Sequence, residues 1–151
     1  MYSTILVPHG GTKAGDEALR HAIHIAKNES SKIIILQILP PWPTTFDEYH
    51  EDDSVRTQID LILSGMESGV RKFLAERVAQ CRKEGLECNG VFRVGKPSES
   101  IIKFVNEEKI DLIIMAKKKK VADFKSIFKI GGTVKNVQEK VHCSILLVET
   151  S

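Results

Sequence analysis

Residues 111–148 read DLIIMAKKKKVADFKSIFKIGGTVKNVQEKVHCSILLV. An apolar run, Leu112–Ala116, leads into a lysine-rich loop. A Gly131-Gly132-Thr133 turn then opens a helical pattern, and a second apolar run closes the unit at Ile145–Val148. Continuous apolar runs of this kind mark strands buried on both faces, as in parallel sheets covered by helices. Strand, loop, glycine turn, helix, strand is also the layout that holds a ligand at the carboxyl ends of parallel strands. A glycine turn entering a helix suits an anion, because main-chain N–H groups and the helix dipole point at it.

The same pattern extends to the N-terminus. Ser3–Pro8 (STILVP) is a short β-rich run stopped by a proline, and Lys32–Leu39 (KIIILQIL) is a second buried strand. Between them, His9-Gly10-Gly11-Thr12 forms a turn whose threonine is placed to cap a helix reaching about Asn28. Its apolar stripe is Ala18, Leu19, Ala22, Ile23 and Ala26. Val55–Glu84 repeats apolar residues at three- and four-residue steps: Val55, Ile59, Ile62, Leu63, Met66, Val70, Phe73, Leu74, Val78 and Cys81. These are expected to face the core; Gly65 and Gly69 mark either a bend or close packing, and Gly85 ends the helix. Glu87–Val94 alternates and is expected nearer a sheet edge. A helix begins at Pro97 or Ser98 and turns Ile101, Ile102, Phe104 and Val105 inward. Asp111–Ala116 and Ser144–Glu149 complete the strands, joined by a helix over 132–141. Right-handed crossovers and doubly apolar strands then give one α/β domain over residues 1–151, a five-stranded parallel doubly wound sheet with helices on both faces.

Composition narrows the functional classes. A net charge of +2 is too small to imply a nucleic-acid partner. The lysines at 117–120, with Lys125 and Lys129, lack interleaved aromatic residues for base stacking, so nucleic acid is disfavoured and a phosphate clamp or a solvated loop is expected. Val121, Phe124, Ile127 and Phe128 fall on one face of a short helical stretch expected to pack on the domain. Residues 40–54, rich in proline and acids, read as a long surface loop of the kind that forms lids or contact surfaces. No stretch approaches the ~18–20 apolar residues of a membrane span, and the N-terminus lacks a charged leader region. The three cysteines, Cys81, Cys88 and Cys143, are odd in number and lack CxxC spacing. Reduced thiols and a cytoplasmic location are expected.

Six segments stand in an order that resembles the universal stress protein family over essentially the whole chain. They are ILVP at 5–8, EALRHAIHIAK at 17–27, the apolar second strand, GKPSESI at 95–101, DLIIM at 111–115 and CSILLV at 143–148. The resemblance implies a Rossmann-like nucleotide-binding-type fold with strand order 3-2-1-4-5 and a homodimer paired through the last strand, 144–149. Family members that bind ATP carry an aspartate after the first strand and G-x2-G-x9-G-[ST] after the fourth. Here the aspartate position is Gly10, the first loop glycine falls on Ala116 and the second on Lys119. From Lys119 the spacing to Gly131-Gly132-Thr133 is two residues too long. The surviving glycine–hydroxyl element fits either as Gly131-Gly132 or as Gly132-Thr133. A lysine Cβ narrows a nest of amides around phosphate, while four lysines add charge without shape. ATP binding in the family's usual mode is therefore not expected, although another small anionic ligand is.

The crevice at the strand ends is expected to be lined by Pro8, His9, Gly10, Ile38, Met115, Ala116, Lys119, Gly131, Gly132 and Thr133. Ile38 enters by matching the family's apolar adenine-contact position. The histidines hold no ligand spacing with acids or cysteines, so no metal is expected. His9 stands at the crevice mouth, where lining the pocket or packing away from it are both open. No G-x-S-x-G elbow, P-loop or G-x-G-x-x-G is present, and acids near the strand mouths are scarce. The expectation is a non-catalytic regulatory or stress-response domain. An adenine-nucleotide-binding protein with slow hydrolase activity is the main alternative, and a module whose charged loops bind a protein partner is the third.

Overall fold

The computed structural model describes residues 1–39, 41, 53–117 and 132–150. Strands β1 (Thr4–Pro8), β2 (Lys32–Leu39), β3 (Cys88–Val94), β4 (Leu112–Lys117) and β5 (Ser144–Glu149) alternate with helices α1 (Lys13–Glu29), α2 (Asp53–Lys83), α3 (Pro97–Glu107) and α4 (Gly132–Lys140). The five strands form one parallel sheet in the order β3-β2-β1-β4-β5. The α/β doubly wound architecture read from the sequence is the one observed, and the alternating strand β3 lies at an edge. The lysine loop beyond Lys117 and most of the acidic loop lie outside the described residues.

Register sorts the side chains into two cores. Ile5 pairs with both Ile33 and Leu112, and all three point into the layer under α1 and α2 with Ala18, Leu19, Ala22, Val70 and Leu74. Leu6 pairs with Ile34 and Ile113 and points into the opposite layer with Ile101, Phe104 and Val137 of α3 and α4. Because successive strand residues face opposite sides, this parity holds to the ends of the strands.

The connections are held by local chemistry. Thr12 caps α1, its Oγ1 accepting from Gly15 N at 3.2 Å. Gly85 sits after α2 with φ +80°, a conformation open to glycine, and Leu86 N–H donates back to Cys81 O at 3.2 Å. Pro97 starts α3 at its first position. The Asp111 carboxylate accepts from Ser3 N at 2.9 Å and Thr4 N at 2.8 Å, stitching the amino ends of β1 and β4 together. That acid is structural and far from the strand mouths.

The apolar stripe of α2 differs from the expectation. Val70, Leu74 and Cys81 are buried, whereas Ile62, Leu63 and Met66 in the first half are exposed. The reason is length: 31 residues span about 46 Å at 1.5 Å per residue, roughly twice the reach of the seven-residue edge strand at about 3.3 Å per residue. Helical periodicity continued past the end of the surface available to bury it. A Cβ added at Gly65 or Gly69 would meet no atom within 4 Å, so neither glycine is there for close packing within the described chain.

Candidate functional site: the crevice at the strand ends

The carboxyl ends of the strands open into one cavity of about 540 Å³. Pro8, His9, Gly10, Ile38, Met115, Ala116, Gly132 and Thr133, singled out in the sequence, all border it, joined by Leu36, Pro97, Ile101, Lys117, Val134 and Leu147. Lys119 and Gly131 lie outside the described residues. Parity explains the additions. Leu36 and Ile38 are two apart on β2, Met115 and Lys117 two apart on β4, and each pair shares the α3/α4 side of the sheet with Pro8 and Leu147. Period two, applied from Ile38 and Met115, would have found Leu36 and Lys117 in the sequence.

The same parity turns His9 the other way. It is one residue beyond Pro8 and follows Ile5 and Val7 onto the α1/α2 side, where its side chain is fully buried. What His9 gives the cavity is main chain. Its ring meets Phe73 edge-on at 4.8 Å; Nδ1 accepts from Gly11 N at 3.0 Å and Nε2 lies 3.0 Å from Asp16 Oδ1. Accepting at Nδ1 fixes the neutral tautomer with the proton on Nε2, which donates to the carboxylate. Arg77 of α2 grips the same carboxylate, Nε to Oδ1 at 3.0 Å and Nη2 to Oδ2 at 3.2 Å. Its guanidinium lies 4.2 Å over the Phe73 ring.

Burial pushes the His9 pKa below its ordinary value against the pull of Asp16. The hydrogen-bonded guanidinium holds Asp16 below the usual carboxylate range, helped by His9. Gly15 completes the fit, since a Cβ there would stand 2.5 Å from the imidazole. This cluster pins the His9–Thr12 turn to α1 and α2 from behind the crevice floor. Sequence reasoning gave Asp16 no role beyond the first helix and missed Arg77, because the pairing spans 61 residues and no local spacing signals it.

Among the described lining residues, Lys117 carries the one charged side chain and Thr133 the one hydroxyl; His9 contributes main chain, and the remaining side chains are apolar. No described group of three or more His, Cys, Asp or Glu is arranged to hold a metal. No described lining side chain pairs a nucleophile with a base. The crevice can enclose a small molecule in an apolar setting, offering an ammonium, a hydroxyl and the main chain at the start of α4.

A parallel doubly wound sheet with a crevice at its topological switch point defines the class of α/β domains that bind small ligands at strand ends. The profile of the universal stress protein family matches residues 1–149, and the chain belongs to that family. It is 24% identical over 149 residues to universal stress protein MJ0531 of Methanocaldococcus jannaschii, covering 99% of this chain and 83% of that protein. Among solved structures it is similar to the protein MJ0577, with a TM-score of 0.78, 21% identity and coverage of 100% and 98% of the two chains. It is also similar to a universal stress protein in complex with cAMP, with a TM-score of 0.69, 20% identity and coverage of 99% and 98%. No described helix is long and apolar enough to cross a membrane.

Proposed function

We propose that this chain is a non-catalytic regulatory domain of the universal stress protein family, acting in stress response by occupancy of its strand-end crevice. The observation that carries this reading is the lining. A cavity of about 540 Å³ stands where the fold places ligands, yet its described walls hold neither an acid to retain a metal nor a base beside a nucleophile. Departure from the ATP pattern at Gly10, Ala116 and Lys119 supports uptake of a ligand by another mode. Free Cys81, Cys88 and Cys143 support a reducing, cytoplasmic setting. The position of β5 at an edge of the sheet supports a homodimer paired there, because an unpaired edge strand invites association.

Native mass spectrometry, followed by mild denaturation and identification of what is released, tests this. A dimer that takes up no ATP and shows no Mg²⁺-dependent turnover is expected. Turnover above blank that is lost on Thr133→Ala would overturn the non-catalytic reading. Adenine-nucleotide binding is the second reading, favoured by the similarity to the structure solved with cAMP.

A further inference from the structure

We infer that Cys81 and Cys88 form a reversible redox pair, which a peroxide closes into a disulfide tying the last turn of α2 to β3. This stands apart from the crevice and does not depend on what occupies it. Cys81 lies in the last turn of α2 and Cys88 opens β3. Both side chains are buried in the core under α1 and α2. Cys88 S–H donates a hydrogen bond to the Cys81 sulfur, so the two thiols face each other across the turn. Contacts to the main chain hold them there: Leu86 N–H donates to Cys81 O at 3.2 Å, and Arg82 Nη2 donates to Cys88 O at 3.1 Å. Cysteines whose side chains point apart cannot be bridged unless the chain moves; these point together. Cys143 packs against the core on the opposite side of the sheet.

Buried thiols are ordinarily inert, and two features of this pair answer that. Residues 82–87, which connect the two, are exposed apart from half-buried Leu86, and β3 is an edge strand. Local opening at such a place brings the sulfurs to solvent. The hydrogen bond from Cys88 also draws the Cys81 thiol below its ordinary pKa against its burial, while that bond and burial push Cys88 up. Cys81 is therefore the attacking sulfur. Its thiolate takes one oxygen of hydrogen peroxide: an S–O bond forms, the O–O bond breaks, and the other oxygen leaves as water with the Cys81 proton. The Cys88 sulfur then attacks the Cys81 sulfenic acid. The S–S bond forms, the S–O bond breaks, and hydroxide leaves as water with the Cys88 proton. The thiols lose two electrons and the peroxide gains them; a dithiol reductant reverses the step by exchange. Transient disulfides of this kind are the ones that sense oxidants in reducing compartments.

The test treats the purified full chain with hydrogen peroxide, counts its free thiols and maps the products by mass spectrometry after trypsin. Arg82 and Lys83 fall between the two cysteines, so cleavage leaves a Cys81–Cys88 disulfide as two joined peptides. Free thiols are expected to fall from three to one per chain, and dithiothreitol is expected to restore all three. Cys143→Ala, which leaves the pair intact, is expected to lose both of its remaining thiols. The oxidised chain is expected to unfold at a higher urea concentration than the reduced one, because the bond restricts the unfolded chain. Thiols that persist in the native chain, joined peptides containing Cys143, or sulfinic acid at Cys81 without a disulfide would each overturn the inference. A lower urea midpoint after oxidation would overturn it as well.

Discussion

Replacing Gly15 by alanine sets two effects of opposite sign against each other. On helix propensity alone the substitution stabilises, by at most about 1 kcal/mol. The site forbids that gain: the new Cβ would stand 2.5 Å from Cε1 and Nδ1 of His9 and 2.9 Å from Cγ. The imidazole cannot retreat, because it is fully buried, held at both nitrogens and backed by Phe73. Overpacking of this kind costs about 1–3 kcal/mol, so Gly15→Ala is expected to be net destabilising by roughly 1–2 kcal/mol. Gly65→Ala and Gly69→Ala supply the controls. Both lie within α2 with nothing within 4 Å of the added methyl, so each is expected to stabilise by about 0.5–1 kcal/mol. Urea unfolding at one fixed protein concentration measures all three, the concentration being held because association would shift the midpoint. A Gly15→Ala variant as stable as the parent would refute the account of the His9 cluster as a rigid wedge. Destabilisation by the two control variants would instead refute the reading of α2 as free at those positions.

The His9 pKa is held below its ordinary value of 6.5, so between the native and unfolded values the unfolded chain binds more protons and stability rises with pH. The contribution is complete above 6.5 and is lost as pH falls toward the native value, with a slope of at most about 1.4 kcal/mol per pH unit. His9→Gln should flatten the stability profile just below pH 6.5, and an unchanged slope in the variant would show that other groups set it. Asp16, also held low, acts in a separate window below its ordinary 3.8. At the other end of the sheet, Asp111→Ala leaves the N–H groups of Ser3 and Thr4 without their acceptor. A loss of roughly 2 kcal/mol is expected, read by denaturant midpoint, and a loss under about 0.5 kcal/mol would mean water replaces the carboxylate at little cost.

The fold was legible because its signal is redundant. Lys32–Leu39 and Leu112–Ala116 are apolar without alternation, which a strand tolerates only when helices cover both faces. Thr12, Gly85 and Pro97 punctuate the helices at positions their chemistry requires. Where the sequence misled, at Ile62, Leu63 and Met66, the pattern was helical and the helix exists. Periodicity reports a face, not whether the fold supplies a surface for it. The Asp16–Arg77 pair was illegible for a different reason: two exposed-looking charges on separate helices carry no spacing that relates them, and only the crossover brings them together.

Parity decides what the crevice can do, and it was available in the sequence. Counting in twos from Leu6 gives Pro8 toward α3 and α4, and counting from Val7 gives His9 toward α1 and α2. A histidine at a strand end invites a catalytic reading, yet one step of register removes its ring from the cavity and buries it against Phe73. The same step, applied to β4, carries Lys117 into the cavity beside Met115. Shift β1 by one residue and the crevice would gain an imidazole, the setting for acid–base chemistry; shift β4 by one and it would lose the Lys117 ammonium. As the chain is built, the imidazole stiffens the floor from behind, and Lys117 borders the cavity from the end of β4. On that division of labour rests the proposal of occupancy rather than turnover.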